Sequence, residues 1–121
     1  MPIPTDYWKT LIEGSLRRLS DDSYQRLAWF NKQAEQTSPD EKICQILGDY
    51  GFEEFICCAV IALSKQQQEN AMTLVGRLKG FGKRSRTPMN PYKVIDDPSW
   101  KIIQVESGKV LGEILPARRS D

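Results

Sequence analysis

The sequence contains no histidine. This absence excludes histidine-dependent triads, the side chain that most often acts as a general base, and nearly every zinc site except one built from cysteines alone. Three cysteines are too few for that exception. Carboxylates, lysine or tyrosine could still support catalysis, but no convincing nucleophile or metal-ligand set stands out. We therefore predict a protein that is not an enzyme and that uses no cofactor or metal.

Cysteine is scarce as well as histidine. Cys44, Cys57 and Cys58 cannot form a full disulfide framework, and two of them are adjacent. Each lies in an apolar helical pattern, where a free cysteine behaves as a small hydrophobic residue. We expect all three cysteines to be reduced and buried, as in a cytoplasmic protein.

Long hydrophobic runs are also missing. The longest, residues 55–63, is much shorter than the ~20 residues that a membrane-spanning helix needs. Residues 1–6 lack the basic region and apolar stretch of a secretory signal. With 121 residues, of which 40% are hydrophobic, the chain fits one globular domain over 1–121. We expect a cytoplasmic location and no membrane contact.

The apolar residues that are present recur at helical spacing. They predict helices over about 5–19, 20–36, 39–49, 52–63 and 65–79. Ser20 is the expected cap of the second helix, and Gly51 the left-handed residue that ends the third. The fourth segment is apolar nearly all round, which is typical of a central helix. Ser64 and Gln67 fit a capping box, which favours a break there over one long helix.

The pattern changes after this helical body, which covers 1–79. Residues 80–99 are rich in basic residues and proline, and they predict a loop. The runs from Trp100 to Val105 and from Lys109 to Leu115 are separated by Ser107-Gly108, which predicts a β-hairpin over 100–116. The expected fold is therefore mainly α, with four or five helices and a C-terminal two-stranded β-hairpin.

Three helices followed by a hairpin is the element order of a winged helix-turn-helix module. The stretch from Leu63 through Leu78 resembles the start of the recognition helix in bacterial regulators of that type. The resemblance implies that exposed side chains at the helix start read base edges or hold phosphates. Those side chains are Lys65, Gln66 and Gln67. The alternative is a solvated helix start in a plain helical domain.

One segment, residues 77–93, lacks negatively charged side chains. Residues 77–93 contain no Asp or Glu, whereas the chain as a whole has a formal charge of +1, so the rest of it carries −5. A basic surface without acids can hold phosphates, and Phe81 or Tyr92 could stack on an unpaired base. The alternatives are a surface for an acidic protein and a solvated loop. The cations are Arg77, Lys79, Lys83, Arg84, Arg86 and Lys93.

Two other patterns carry less weight. The glycines before Lys83 depart from the spacing of a phosphate-binding loop and follow a helix rather than a strand. Asp49, Glu53 and Glu54 surround a turn where acids commonly begin a helix. The sequence thus predicts a small nucleic-acid-binding protein, a regulator or an accessory subunit of a nucleoprotein complex. The second hypothesis is an adaptor whose basic loop docks an acidic protein.

Overall fold

The computed structural model describes residues 5–30, 39–58, 61–84 and 90–114. Of these residues, 87% are helical and none lies in a β-strand. The helices are α1 (Thr5–Ser20), α2 (Asp22–Phe30), α3 (Pro39–Cys44), α4 (Phe52–Cys57), α5 (Lys65–Arg84), α6 (Pro91–Val94) and α7 (Pro98–Ile114), with a π-helical turn at Gln45–Asp49 directly after α3.

The first two helices are almost continuous. The stripe Ile12, Leu16 and Leu19 makes α1 amphipathic and is fully buried. The cap of α2 is Asp21, whose carboxylate accepts a hydrogen bond of 2.9 Å from the backbone N–H of Tyr24. The prediction of Ser20 as the cap is therefore wrong by one position. The Ser20 hydroxyl instead donates a hydrogen bond to the Arg17 carbonyl within α1. The predicted extension of α2 over 31–36 lies outside the described residues.

The extent predicted for the third helix, 39–49, is confirmed, although its last turn widens into the π-helical form. The backbone N–H of Tyr50 donates to the Gln45 carbonyl at 2.8 Å, and Gly51 follows with φ +57°. The left-handed conformation predicted for Gly51 is thus confirmed. The indole N–H of Trp8 donates to the Tyr50 carbonyl at 2.6 Å, so a side chain of α1 satisfies the end of this turn.

The predicted central helix is shorter than expected. α4 ends at Cys57, Cys58 is extended, and Ala62 has φ +58°. Further along the chain, Ile61 and Leu63 are buried in the core with residues of α4. An apolar run without periodicity suits a buried helix or buried extended chain equally well, which is why the pattern overestimated the helix.

The predicted break before α5 is confirmed. Ser64 Oγ accepts a hydrogen bond from the Gln67 backbone N–H at 3.1 Å, and Gln67 Oε1 accepts one from the Ser64 N–H at 2.9 Å. This is the reciprocal pattern of a capping box. α5 then continues five residues beyond the predicted end, so 80–84 are helical rather than part of a loop.

The predicted β-hairpin is wrong, because residues 98–114 form the single helix α7. Helical spacing puts the residues that α7 buries on one side, whereas strand alternation would divide them between two faces. Because no strand occurs among the described residues, 98–114 do not form a wing, and the likeness to a winged helix-turn-helix module does not extend to this part of the structure. The buried residues of α7 are Trp100, Ile103, Gln104, Ser107, Val110, Leu111 and Ile114.

α7 lies at the centre of the molecule, where it makes the most extensive interhelical contacts, with α1 and then with α5. A Cβ added at Gly108 would lie 3.6 Å from the Ser20 Cβ, so the residue predicted as a hairpin turn is a point of close helix approach. Among the residues that the structure describes, no helix combines the length and apolar character needed to cross a bilayer.

Candidate nucleic-acid interface

The residues predicted to bind nucleic acid fall at two ends of α5. Lys65 and Lys83 are about 27 Å apart along the helix axis, at about 1.5 Å per residue. One group comprises the three side chains at the amino end, and the other the cations from Arg77 onward with Lys93 on α6. The structure therefore does not bring the predicted residues together in one site.

At the amino end, two of the three side chains take part in structural contacts. Gln67 completes the capping box and also donates to the Glu113 carbonyl of α7 at 3.2 Å. Gln66 donates to Asn70 Oδ1 at 3.0 Å, and Asn70 in turn donates to the Glu113 carboxylate. Lys65 is exposed. This end of α5 is thus tied to the last turn of α7 through Gln67 and Asn70.

Two of the predicted cations form ion pairs. Arg77 pairs with Glu106 of α7, and Lys79 Nζ lies 2.5 Å from Glu53 Oε1 of α4. Both side chains are about half exposed, so each pair contributes little to stability, about 1 kcal/mol or less. The pairs nevertheless offset two of the six positive charges in 77–93.

The other described cations of the segment are less compensated. Lys83, in the last turn of α5, and Lys93, on α6, are exposed and form no ion pair within the described part of the chain. Arg86 and the side chain of Arg84 lie outside the described residues. Within 77–93, the described positive charge without an ion-pair partner in the described residues therefore lies at the carboxyl end of α5 and on α6.

The two aromatic residues proposed for base stacking differ in exposure. Phe81 is buried and packs against Trp100 with ring centroids 5.2 Å apart, so its ring cannot reach a ligand. Tyr92 is 68% exposed and stacks on Phe30 of α2, with centroids 4.5 Å apart and planes inclined by 19°. One face of the tyrosine ring is therefore covered and the other faces solvent.

A continuous series of ring contacts joins these two aromatics. It runs from Phe81 through Trp100 and Trp29 to Phe30 and Tyr92, with every neighbouring pair of centroids between 4.5 and 6.5 Å apart. The series links the last turn of α5 to the start of α6 through four successive ring contacts.

A local start signal places Tyr92, and the sequence analysis missed it. Asn90 Oδ1 accepts a hydrogen bond of 3.0 Å from the Tyr92 backbone N–H, and Pro91 occupies the first position of α6. Val94 and Ile95 are buried and fix this short helix to the body. The Asn-Pro pair is a recognised start signal that the prediction of a loop over 80–99 overlooked.

Two acids, Asp22 and Asp96, share Arg26 as a cation partner. The Asp22 carboxylate accepts hydrogen bonds from Lys101 at 2.8 Å and from Arg26 at 2.7 Å, and Arg26 also reaches Asp96 at 3.6 Å. The bond to Lys101 contributes most to holding the pKa of Asp22 well below its usual range, followed by the bond to Arg26. The same carboxylate raises the pKa of Arg26. These acids are thus partly neutralised toward an approaching phosphate.

A separate groove of about 470 Å³ runs between α5 and α7. Gly76 and Gly80 line it on one side, and no atom lies within 4 Å of a Cβ built at either glycine. Ile102 lines it on the other side and is 45% exposed, and Val105, one turn further along α7, is 58% exposed. Ile102 and Ile103 give the groove an apolar side, and Thr73, Arg77 and Ser99 add polar groups to its lining.

Among the described residues, no group of three or more Cys, Asp or Glu side chains is arranged to hold a metal ion. Comparisons of the chain with protein-family models, with curated proteins and with solved structures give no match.

Proposed function

We propose that the protein binds nucleic acid at the surface formed by the carboxyl end of α5 and by α6, as a regulator or an accessory subunit of a nucleoprotein complex. The observation that carries the proposal is the exposed ring of Tyr92 beside Lys93, within a segment that lacks acids. A fixed aromatic face can stack on a base, and cations that form no ion pair in the described part of the chain can bind a phosphate of the same strand.

The binding energy would come mainly from the cations. Each lysine that meets a phosphate releases condensed counterions, so affinity falls steeply as salt rises. Lys83 and Lys93 are exposed and form no ion pair in the described part of the chain. To bind a phosphate, Arg77 and Lys79 would first have to break their ion pairs with Glu106 and Glu53. The two lysines are therefore the best residues with which to test the proposal.

The test measures fluorescence anisotropy of short labelled DNA and RNA oligonucleotides. Lys83→Ala/Lys93→Ala should weaken binding by roughly 10- to 50-fold at about 100 mM salt and should flatten the salt slope by about 1.4 to 1.8 units. The matched control is Lys65→Ala/Lys109→Ala, which removes two exposed lysines from other parts of the surface. Equal weakening by both variants would contradict this location, and a parent protein that binds neither DNA nor RNA would overturn the proposal.

An adaptor for an acidic protein is the second candidate. The exposed Ile102 and Val105 beside the groove favour it, because they offer apolar contact area that phosphate binding does not use. A partner protein should then stay bound to the parent after nuclease treatment, and Lys83→Ala/Lys93→Ala should release it. Binding that nuclease abolishes would exclude the adaptor.

A further inference from the structure

We infer that this surface selects single-stranded nucleic acid, with one unpaired base stacked on the solvent-facing side of the Tyr92 ring. The inference rests on the proposed function and adds the class of nucleic acid. It depends on the geometry of Tyr92 and its neighbours rather than on charge, so an experiment can separate it from the general ability to bind phosphates.

The ring of Tyr92 is held in place from one side only. Phe30 covers the inner face in a near-parallel stack, 4.5 Å between centroids and 19° between planes, while 68% of the residue stays exposed. A base placed on the open face would extend the stack from two rings to three. Stacking of this kind tolerates any base, because every base has a π-face.

The backbone beneath the ring is also fixed. Asn90 caps the backbone N–H of Tyr92, and the next two residues after Lys93, Val94 and Ile95, are buried. A ring already ordered in the free protein loses little conformational freedom when a ligand binds, which is the usual benefit of preorganisation. Tyr7, on α1, is exposed to a similar degree (59%) but has no such stack among the described residues.

The preference for a single strand follows from which base faces are accessible. In a duplex, neighbouring base pairs cover the faces of each base, so a protein ring can stack only on an unpaired or extruded base. Lys93, adjacent to Tyr92, would meet a phosphate of the same strand. Asp96 lies nearby and is exposed, and Arg26 offsets its charge. Stacking therefore supplies an interaction that only the single strand can make.

The experiment compares one labelled oligonucleotide as a single strand and annealed to its complement. Tyr92→Ala should weaken binding of the single strand by about 5- to 150-fold and that of the duplex by less than about twofold. Tyr92→Leu, which retains an apolar contact with Phe30 but has no ring, should give the same result if Tyr92→Ala does not fold. Tyr92→Phe should bind as the parent does, and the control Tyr7→Ala should change neither affinity.

The outcomes separate the inference from the proposed function. Equal effects of Tyr92→Leu on single strand and duplex, or no effect on either, would overturn the inference. If Lys83→Ala/Lys93→Ala still weakened binding in that case, the proposed function would stand. A parent that bound neither form at about 100 mM salt would overturn both.

Discussion

At the scale of single residues, burial within α3 and α4 differs from what the apolar pattern indicated. Cys44 and Cys57 are exposed and Cys58 is half-buried, whereas Lys42 is buried with its ammonium group 5.7 Å from the centre of the Tyr24 ring. An aromatic face can stabilise a desolvated cation, so the lysine takes an inward position. The prediction that all three cysteines are buried is therefore wrong.

Thiol reactivity provides a direct check. In the native protein, Cys44 and Cys57 should react rapidly with a thiol reagent because they are exposed, and Cys58 should react more slowly. The amplitude of the rapid phase in the absorbance of the released product gives the number of thiols that react rapidly. Cys57→Ser should remove one fast thiol and leave the slow one unchanged. A native protein with no fast thiol would show that these positions are covered.

Gly51 is required for its backbone conformation. Its φ is +57°, and a Cβ there would lie 3.0 Å from Glu54 Oε2. Gly51→Ala should therefore lower the free energy of unfolding by about 1–2 kcal/mol, read from the urea midpoint. Gly48→Ala is the matched control, because Gly48 is exposed and no atom lies within 4 Å of its Cβ position. Equal midpoints for the two variants would contradict this role of Gly51.

At the scale of elements, α7 shows how a pattern of mixed periodicity is resolved. Residues 100–105 contain neighbouring apolar residues that a strand would place on opposite faces. The helix instead directs Trp100 and Ile103 inward and leaves Ile102 and Val105 exposed. α1 and α5 pack against α7, so the helical form puts its apolar stripe into the core.

The close approach of α7 and α1 can be tested at Gly108. Gly108→Leu should cost about 1–3 kcal/mol of stability, because a large side chain must displace the neighbouring Ser20. The control in the same helix is Gly112→Leu, where no atom lies within 4 Å of the added Cβ, and it should be neutral or stabilising. Thermal or urea unfolding measures both. A Gly108→Leu protein as stable as the parent would argue against this packing of α1 on α7.

At the scale of the whole molecule, a polar network joins three helices around Trp100. The buried amide of Gln25 donates to the Arg18 and Leu19 carbonyls of α1, and it accepts hydrogen bonds from Trp100 Nε1 at 2.9 Å and from Gln104 at 2.7 Å. All the polar atoms of this amide are thereby satisfied inside the core. The network continues to the surface through Asp22 and Lys101.

Asp22 should make stability depend on pH. Its pKa in the folded protein is lowered, so its contribution is complete above about pH 5 and is lost as the pH falls through the folded pKa. Asp22→Asn should lower stability by about 1 kcal/mol at neutral pH, a modest value because the carboxylate is partly exposed. The difference from the parent should shrink below about pH 4.

Urea midpoints at neutral and acidic pH measure this difference. Asp96→Asn is the control, because that carboxylate is largely exposed and lies 3.6 Å from Arg26. It should change stability by less than about 0.5 kcal/mol at either pH. A constant difference between Asp22→Asn and the parent across the pH range would show that the carboxylate charge is not the stabilising feature.

Some features of the predicted binding segment, residues 77–93, depend on the local sequence, and others depend on contacts with distant residues. Its sequence predicted a basic surface, and the exposure of Lys83 and Lys93 agrees with that part. The ion pairs of Arg77 and Lys79 and the burial of Phe81 could not be read from the chain, because their partners belong to α4 and α7. The stack of Tyr92 on Phe30 is equally invisible in the sequence, since it joins α6 to α2.

Features whose hydrogen-bond partners lie within a few residues could be predicted from the chain alone. The Ser64–Gln67 capping box and the left-handed Gly51 depend on hydrogen bonds and backbone sterics that the chain satisfies locally. The helix over 98–114 and the exposure of Tyr92 rather than Phe81 became evident only from the packed structure. Those outcomes depend on burial against residues far away in the chain, and burial outweighs weak local preference.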